Sequence, residues 1–163
     1  MEVRKIYQYA LQREYEGKRF FEQNAERLTY AAAVSAFKNL AAEEQKHIEF
    51  IQEQLDLLSD GQNSSAAFGQ AFQEEGFFSQ RALTEDIDQT VSEAMVADLP
   101  VLRMAYLIEQ DLATFYETAA KQTGGDAQEV LNMLGAWERG HERLFKRLHD
   151  KAFEEYAGMP WGG

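Results

Sequence analysis

The sequence predicts an all-α protein: a bundle of four long helices with one long crossover between the second and the third. Three observations carry this. Prolines occur only at Pro100 and Pro160, so almost none of the chain holds the residue that most strongly breaks helices. Apolar residues return at alternating steps of three and four along four separate stretches, the period of a helix with one buried face. The second and third stretches are separated by residues 61–94, far more than two antiparallel neighbours need as a connection.

The first helix is expected over 6–28, with Tyr7, Leu11, Glu14, Phe21, Ala25 and Leu28 on one stripe. The second is expected over 30–59, its stripe being Ala33, Phe37, Leu40, Glu44, His47, Ile51, Leu55 and Leu58. Asp60-Gly61 supplies a C-terminal stop. The crossover opens on the loop-like Gly61-Gln62-Asn63-Ser64-Ser65 and carries Phe68, Phe72, Phe77 and Phe78 among polar residues. Short helical pieces are expected at 66–75 and 84–94. The third long helix, 99–121, places Leu102, Ala105, Glu109, Leu112, Tyr116 and Ala119 on one face. Pro100 falls in its first turn, where a missing N–H costs nothing. After the turn Thr123-Gly124-Gly125-Asp126, with Asp126 as the expected N-cap, the last helix aligns Ala127, Leu131, Leu134, Glu138, His141, Phe145, Leu148 and Ala152. A single domain over 1–157 with a short tail, 158–163, is the expected organisation.

Composition narrows the function. A formal net charge of −12 argues against nucleic-acid binding, which needs clustered Lys and Arg on the phosphate backbone. No apolar run approaches the roughly 20 residues that span a bilayer, and Met1-Glu2-Val3-Arg4-Lys5 lacks the apolar core of a secretory signal. The chain has no cysteine, which removes disulfides, thiolate ligands and iron–sulfur centres from consideration. A cytoplasmic protein working with histidine and carboxylate chemistry is the expectation.

The informative feature is a repeat. Glu44-Gln45-Lys46-His47 on the second helix returns as Glu138-Arg139-Gly140-His141 on the fourth. Ala10-Leu11-Gln12-Arg13-Glu14 followed by Phe20-Phe21 matches Ala105-Tyr106-Leu107-Ile108-Glu109 followed by Phe115-Tyr116. Glu14 and Glu109 lie 95 positions apart, and Glu44 and Glu138 lie 94 apart, so the chain reads as two copies of one helix pair. Each Glu-x-x-His places its two side chains on one helix face, about one turn apart. Four glutamates and two histidines thus converge on the inner faces, with no Lys or Arg expected there. Buried carboxylates are costly unless paired or neutralised, and four close negative charges repel. Two divalent cations cancel four carboxylates. Glu14, Glu44, His47, Glu109, Glu138 and His141 are therefore the candidate metal ligands and the candidate catalytic residues. Oxygen-rich donors with one imidazole per metal suit Fe(II) or Mn(II), with Zn(II) able to substitute.

This ligand set is the one found in ferritin-like di-iron and di-manganese proteins, and the chain resembles the rubrerythrin-type members of that superfamily over essentially all four helices. The Ala-x-x-x-Glu block with its later aromatic pair is present, as is Glu-Glu-x-x-His in the form Glu43-Glu44-Gln45-Lys46-His47; in the second half the doublet is Trp137-Glu138. The resemblance implies a ferritin-like four-helix bundle holding two iron ions. It makes Glu44 and Glu109 candidates for bridging them, although spacing leaves bridging and terminal carboxylates undistinguished. Many rubrerythrins carry a further glutamate one turn after the third-helix ligand; here Leu112 stands there, so a symmetric site is expected. Bacterioferritins place a haem-ligating methionine directly after the second-helix glutamate; here that residue is Gln45, so no haem is expected.

The resemblance implies an oxidoreductase reducing peroxide or oxygen. With no rubredoxin-type cysteines, its electrons would come from an external donor protein. A homodimer is the expected assembly, with no nucleic-acid or membrane partner. The alternatives are a ferritin-like iron-oxidising storage protein, a di-iron hydroxylase of an organic substrate, and a non-enzymatic helical module. Phe21, Tyr30, Phe37, Tyr116 and Phe145 are read as core, with a hydrogen bond to a ligand or an electron-donating role as the alternative for Tyr116. His149 and the acids Glu26, Glu53, Asp56, Glu74, Glu75, Asp86 and Asp88 are read as surface. The Phe-rich crossover is either a cap over the bundle or an oligomer contact.

Overall fold

The computed structural model describes residues 2–28, 31–76 and 96–160. Helix α1 spans Val3–Ala25, α2 Ala31–Ser59, α3 Ala67–Glu75, α4 Leu99–Gln122 and α5 Gly125–Gly158, with a 3-10 turn, Val96–Asp98, leading into α4. The fold is all-α, as the apolar period predicts. The four long helices form two pairs: α1 packs chiefly on α2, and α4 chiefly on α5. This is the pairing expected of a duplicated helix hairpin. Among the described residues no helix is long and apolar enough to cross a membrane.

The helix ends follow local chemistry. At the close of α2, Gly61 adopts φ +73°, and the amides of Gln62 and Gly61 donate to the carbonyls of Leu57 (2.9 Å) and Leu58 (3.3 Å), a Schellman-type stop that a glycine makes without Cβ strain. Pro100 sits in the first turn of α4. The last helix differs from expectation. Its N-cap is Gly124, and Asp126 lies inside the first turn, where a negative charge meets the positive end of the helix dipole. Of the crossover, α3 coincides with the helix expected at 66–75; the piece expected at 84–94 and the residues Tyr30, Phe77, Phe78, Asp86 and Asp88 lie outside the described residues.

The core is divided in two. One apolar cluster gathers Tyr7, Phe50, Ile51, Tyr116, Leu131 and Leu134; the other gathers Phe21, Phe37, Leu40, Leu102, Phe145 and Leu148. In the second cluster the rings of Phe21, Phe37 and Phe145 meet with centroids 5.2–5.6 Å apart, in the separation range that favours aromatic pairs. Glu14, Glu44, His47, Glu109, Glu138 and His141 occupy the middle of their helices, between these two apolar plugs. The midpoint of a bundle is the place farthest from water. Polar residues there need partners within the protein.

Candidate metal centre

All six side chains are buried: Glu14, His47 and Glu138 are fully enclosed, and Glu44, Glu109 and His141 are 1% exposed. Among the described residues, Glu43, 4% exposed, is the only other charged side chain in the core, and no Lys or Arg is buried with them. The structure thus brings together every residue the sequence nominated. Donor atoms of Glu14, Glu44, His47 and Glu138 all lie within 4.8 Å of one another, as do those of Glu44, Glu109, Glu138 and His141.

Glu44 and Glu138 belong to both groups, and their oxygens divide between the two histidines. Toward His47 Nδ1, Glu138 presents Oε1 at 2.7 Å and Glu44 presents Oε2 at 3.7 Å. Toward His141 Nδ1, Glu44 presents Oε1 at 2.9 Å and Glu138 presents Oε2 at 3.4 Å. Glu14 approaches only His47 (3.3 Å), and Glu109 only His141 (3.7 Å). The imidazole rings lie nearly parallel, 14° apart, with centroids separated by 5.1 Å. Geometry therefore makes Glu44 and Glu138 the shared carboxylates, where the resemblance had pointed to Glu44 and Glu109. The repeat supplies the reason. Glu44 and Glu138 are equivalent positions of the two halves, so a pseudo-symmetric centre must share them together; Glu44 and Glu109 are not equivalent.

The electrostatics show what the cluster lacks. Burial, reinforced by the charge of Glu138, pushes the carboxyls of Glu44 and Glu109 well above the usual range. Burial acts in the same direction on Glu138, but His47 and His141 outweigh it and hold this carboxyl well below the usual range. Burial opposes charge on both imidazoles too, yet the carboxylates around them raise both well above an ordinary histidine. Without an ion, protons on Glu44 and Glu109 and charge on the two imidazoles offset the buried acids. Even so, both oxygens of Glu44, Glu109 and Glu138 and Nδ1 of His141 are buried without a well-formed hydrogen bond. Buried polar atoms in this state call for a partner. Two divalent cations, one per histidine, match the donor types, the charge and the division of oxygens.

Three contacts surround the cluster, of which the sequence offered only that of Tyr116, as the alternative to plain packing. Glu43 accepts a hydrogen bond from Nε2 of His141 at 2.8 Å, an orienting partner for an imidazole whose Nδ1 faces the centre. Its only sequence signal was the acidic doublet Glu43-Glu44. Trp137, the repeat equivalent of Glu43, instead stacks on His47 with centroids 5.1 Å apart and 23° between planes. Tyr116 is fully buried as expected of a core aromatic, and its hydroxyl also donates to Oε1 of Glu14. Outside the cluster, Leu112 is a buried core residue. His149 is half-buried rather than on the surface, its Nδ1 3.1 Å from an Asp150 oxygen and its ring against Tyr106 and Phe153.

The crossover helix covers one flank. A Cβ at Gly69 of α3 would lie 2.7 Å from Met133 Sδ, 2.9 Å from Phe50 Cζ and 3.0 Å from Trp137 Cη2, so only glycine lets α3 settle this closely. Phe72 packs on the same apolar cluster, while Phe68 is 40% exposed. For α3, capping the bundle is the role seen.

A helical bundle with a duplicated Glu-x-x-His and two further glutamates at its centre defines the class: a ferritin-like carboxylate protein whose buried cluster points to a di-metal site. The rubrerythrin family model matches residues 5–149, and the chain belongs to the rubrerythrin family. No curated protein and no solved structure matches it.

Proposed function

We propose that the chain holds two iron ions among Glu14, Glu44, His47, Glu109, Glu138 and His141, and uses them as an oxidoreductase that reduces hydrogen peroxide or dioxygen. The observation that carries this reading is the division of Glu44 and Glu138, each offering one oxygen to the His47 side and one to the His141 side. Membership of the rubrerythrin family supports the reaction class. A pair of iron ions supplies one electron each, which equals the two electrons that convert hydrogen peroxide to water.

The residues contribute in distinct ways. Glu44 and Glu138 tie the two positions together; Glu14 with His47, and Glu109 with His141, complete one position each. The charge of four carboxylates neutralises two divalent ions in a core where unpaired charge is costly. Tyr116 holds Glu14 by its hydroxyl and is an O–H that can give or take a proton at that carboxylate. Leu112, where a further carboxylate stands in many relatives, leaves the ligand set at six. Having no cysteine, the chain offers no thiolate-bound iron to relay electrons, so the reductant is proposed to be a second protein. A homodimer is the proposed assembly.

Anaerobic reconstitution with Fe(II), metal quantification, and rapid mixing with peroxide or with dioxygen test the reading. Two irons per chain, oxidised faster by peroxide than by dioxygen, are expected. Preference for dioxygen with continued uptake of iron beyond two per chain would instead mark a storage protein.

A further inference from the structure

We propose that the two metal positions are unequal, and that Glu43 makes the position formed by His141 and Glu109 the tighter and first to fill. The inference rests on the di-metal reading above and deepens it. Two separate differences between the halves point the same way. Nε2 of His141 donates to the Glu43 carboxylate at 2.8 Å, while Nδ1 of the same ring faces Glu44, Glu138 and Glu109. A carboxylate on the far nitrogen fixes the ring and its tautomer and raises the donor strength of the near nitrogen. The equivalent residue of the other half is Trp137, which stacks on His47; an indole has no acceptor to offer an imidazole N–H.

The second difference lies in the carboxylates that serve one position only. Oε1 of Glu14 accepts the hydroxyl of Tyr116, which commits one of its two oxygens. Both oxygens of Glu109 are buried without a well-formed hydrogen bond, so neither is committed to a hydroxyl as Oε1 of Glu14 is. The repeat position of Tyr116 is Phe21, which carries no hydroxyl. A carboxylate-backed imidazole thus stands at one position, while at the other an indole stacks on the imidazole and a tyrosine hydroxyl takes one carboxylate oxygen. Glu43 is a positioning residue here, acting through His141.

Titration of the metal-free protein with cobalt(II) under anaerobic conditions tests the order, by calorimetry and by cobalt d–d absorption. The wild type is expected to take two ions in two resolved steps. Glu43→Gln keeps size and an acceptor oxygen but removes the charge; it is expected to weaken the first step by about 10–100-fold and to leave the second nearly unchanged. In the cobalt-loaded protein, the paramagnetically shifted Nε2–H proton resonance of His141 should move in this variant, which loss of packing alone would not cause. Tyr116→Phe, which frees an oxygen of Glu14, should narrow the gap by tightening the second step. Two equal steps, a single cooperative step, equal weakening of both steps by Glu43→Gln, or an unchanged gap in Tyr116→Phe would each overturn the ordering while leaving the di-metal reading intact. A capacity below two ions per chain would overturn the di-metal reading and the ordering with it.

Discussion

The two halves of the centre agree in what faces inward and differ in what stands behind it. One half sets Glu14 and His47 against Tyr116 and Trp137. The other sets Glu109 and His141 beside Glu43, and the place of Tyr116 is taken by Phe21, whose ring packs with Phe37 and Phe145. Duplication kept four carboxylates and two imidazoles in register; the carboxylates carry the charge that two divalent ions would balance, and each imidazole adds a neutral nitrogen donor. The residues behind them were free to diverge, since each alters the quality of one donor without removing it. A symmetric ligand set inside an asymmetric surround is the result.

The largest expected effect separates the shared carboxylates from the single-position ones. Glu44→Ala or Glu138→Ala should abolish two-metal binding, whereas Glu14→Ala or Glu109→Ala should retain one ion per chain. Elemental analysis after anaerobic reconstitution reads this directly. Far-UV circular dichroism should stay helical, because removing one buried acid relieves repulsion in the metal-free core. Equal losses from all four variants would break the distinction.

Metal-free protein should lose stability as pH rises. Glu44 and Glu109 keep protons in the folded state that the unfolded chain releases, and His47 and His141 stay protonated above the ordinary imidazole range. Between mildly acidic and alkaline pH the folded state therefore binds more protons than the unfolded state, so unfolding is favoured as pH increases. Glu138 acts in the opposite sense, but below the usual carboxylate range and so outside this window. Thermal melts of metal-free protein at pH 6 and pH 9 should show the lower midpoint at pH 9. Metal loading should flatten the trend, since the ions take the place of the protons. A flat profile without metal would mean that the cluster is charged differently.

A smaller effect concerns the flank that α3 covers. Gly69→Ala inserts a methyl among Met133, Phe50 and Trp137 and should cost about 1–3 kcal/mol in denaturant unfolding, the range for overpacked cores. The disturbance should reach the His47 half through Trp137. The smallest effect lies on the surface. Arg139 joins α5 to Glu117 of α4 through two bonds of 2.8 Å, and holds the Glu117 carboxyl below its usual range. At the equivalent place Lys18 of α1 reaches Gln45 of α2 at 2.9 Å. Because these groups are partly exposed to solvent, Arg139→Ala should cost below about 1 kcal/mol. A larger loss would mean that the α4–α5 pair relies on its surface more than the α1–α2 pair does.

The sequence by itself determined the helices and the cluster. Helical period places Glu14, Glu44, Glu109 and Glu138 on apolar stripes, and an acid on such a stripe is informative because burial penalises it. The repeat then makes six residues one set. Equivalence in the repeat pairs Glu44 with Glu138 and Glu14 with Glu109, but leaves open which pair is shared. Only the tertiary structure decided the rest. Whether Glu43 faces solvent or His141 depends on how α2 turns against α5, an angle that no spacing along one helix records. The hydroxyl of Tyr116 meets a glutamate 102 residues away, and Gly69 matters because a separate helix settles on Trp137. Periodicity specifies which face of a helix is buried; the partner that each buried atom meets is set by packing between helices, where small rotations exchange one neighbour for another.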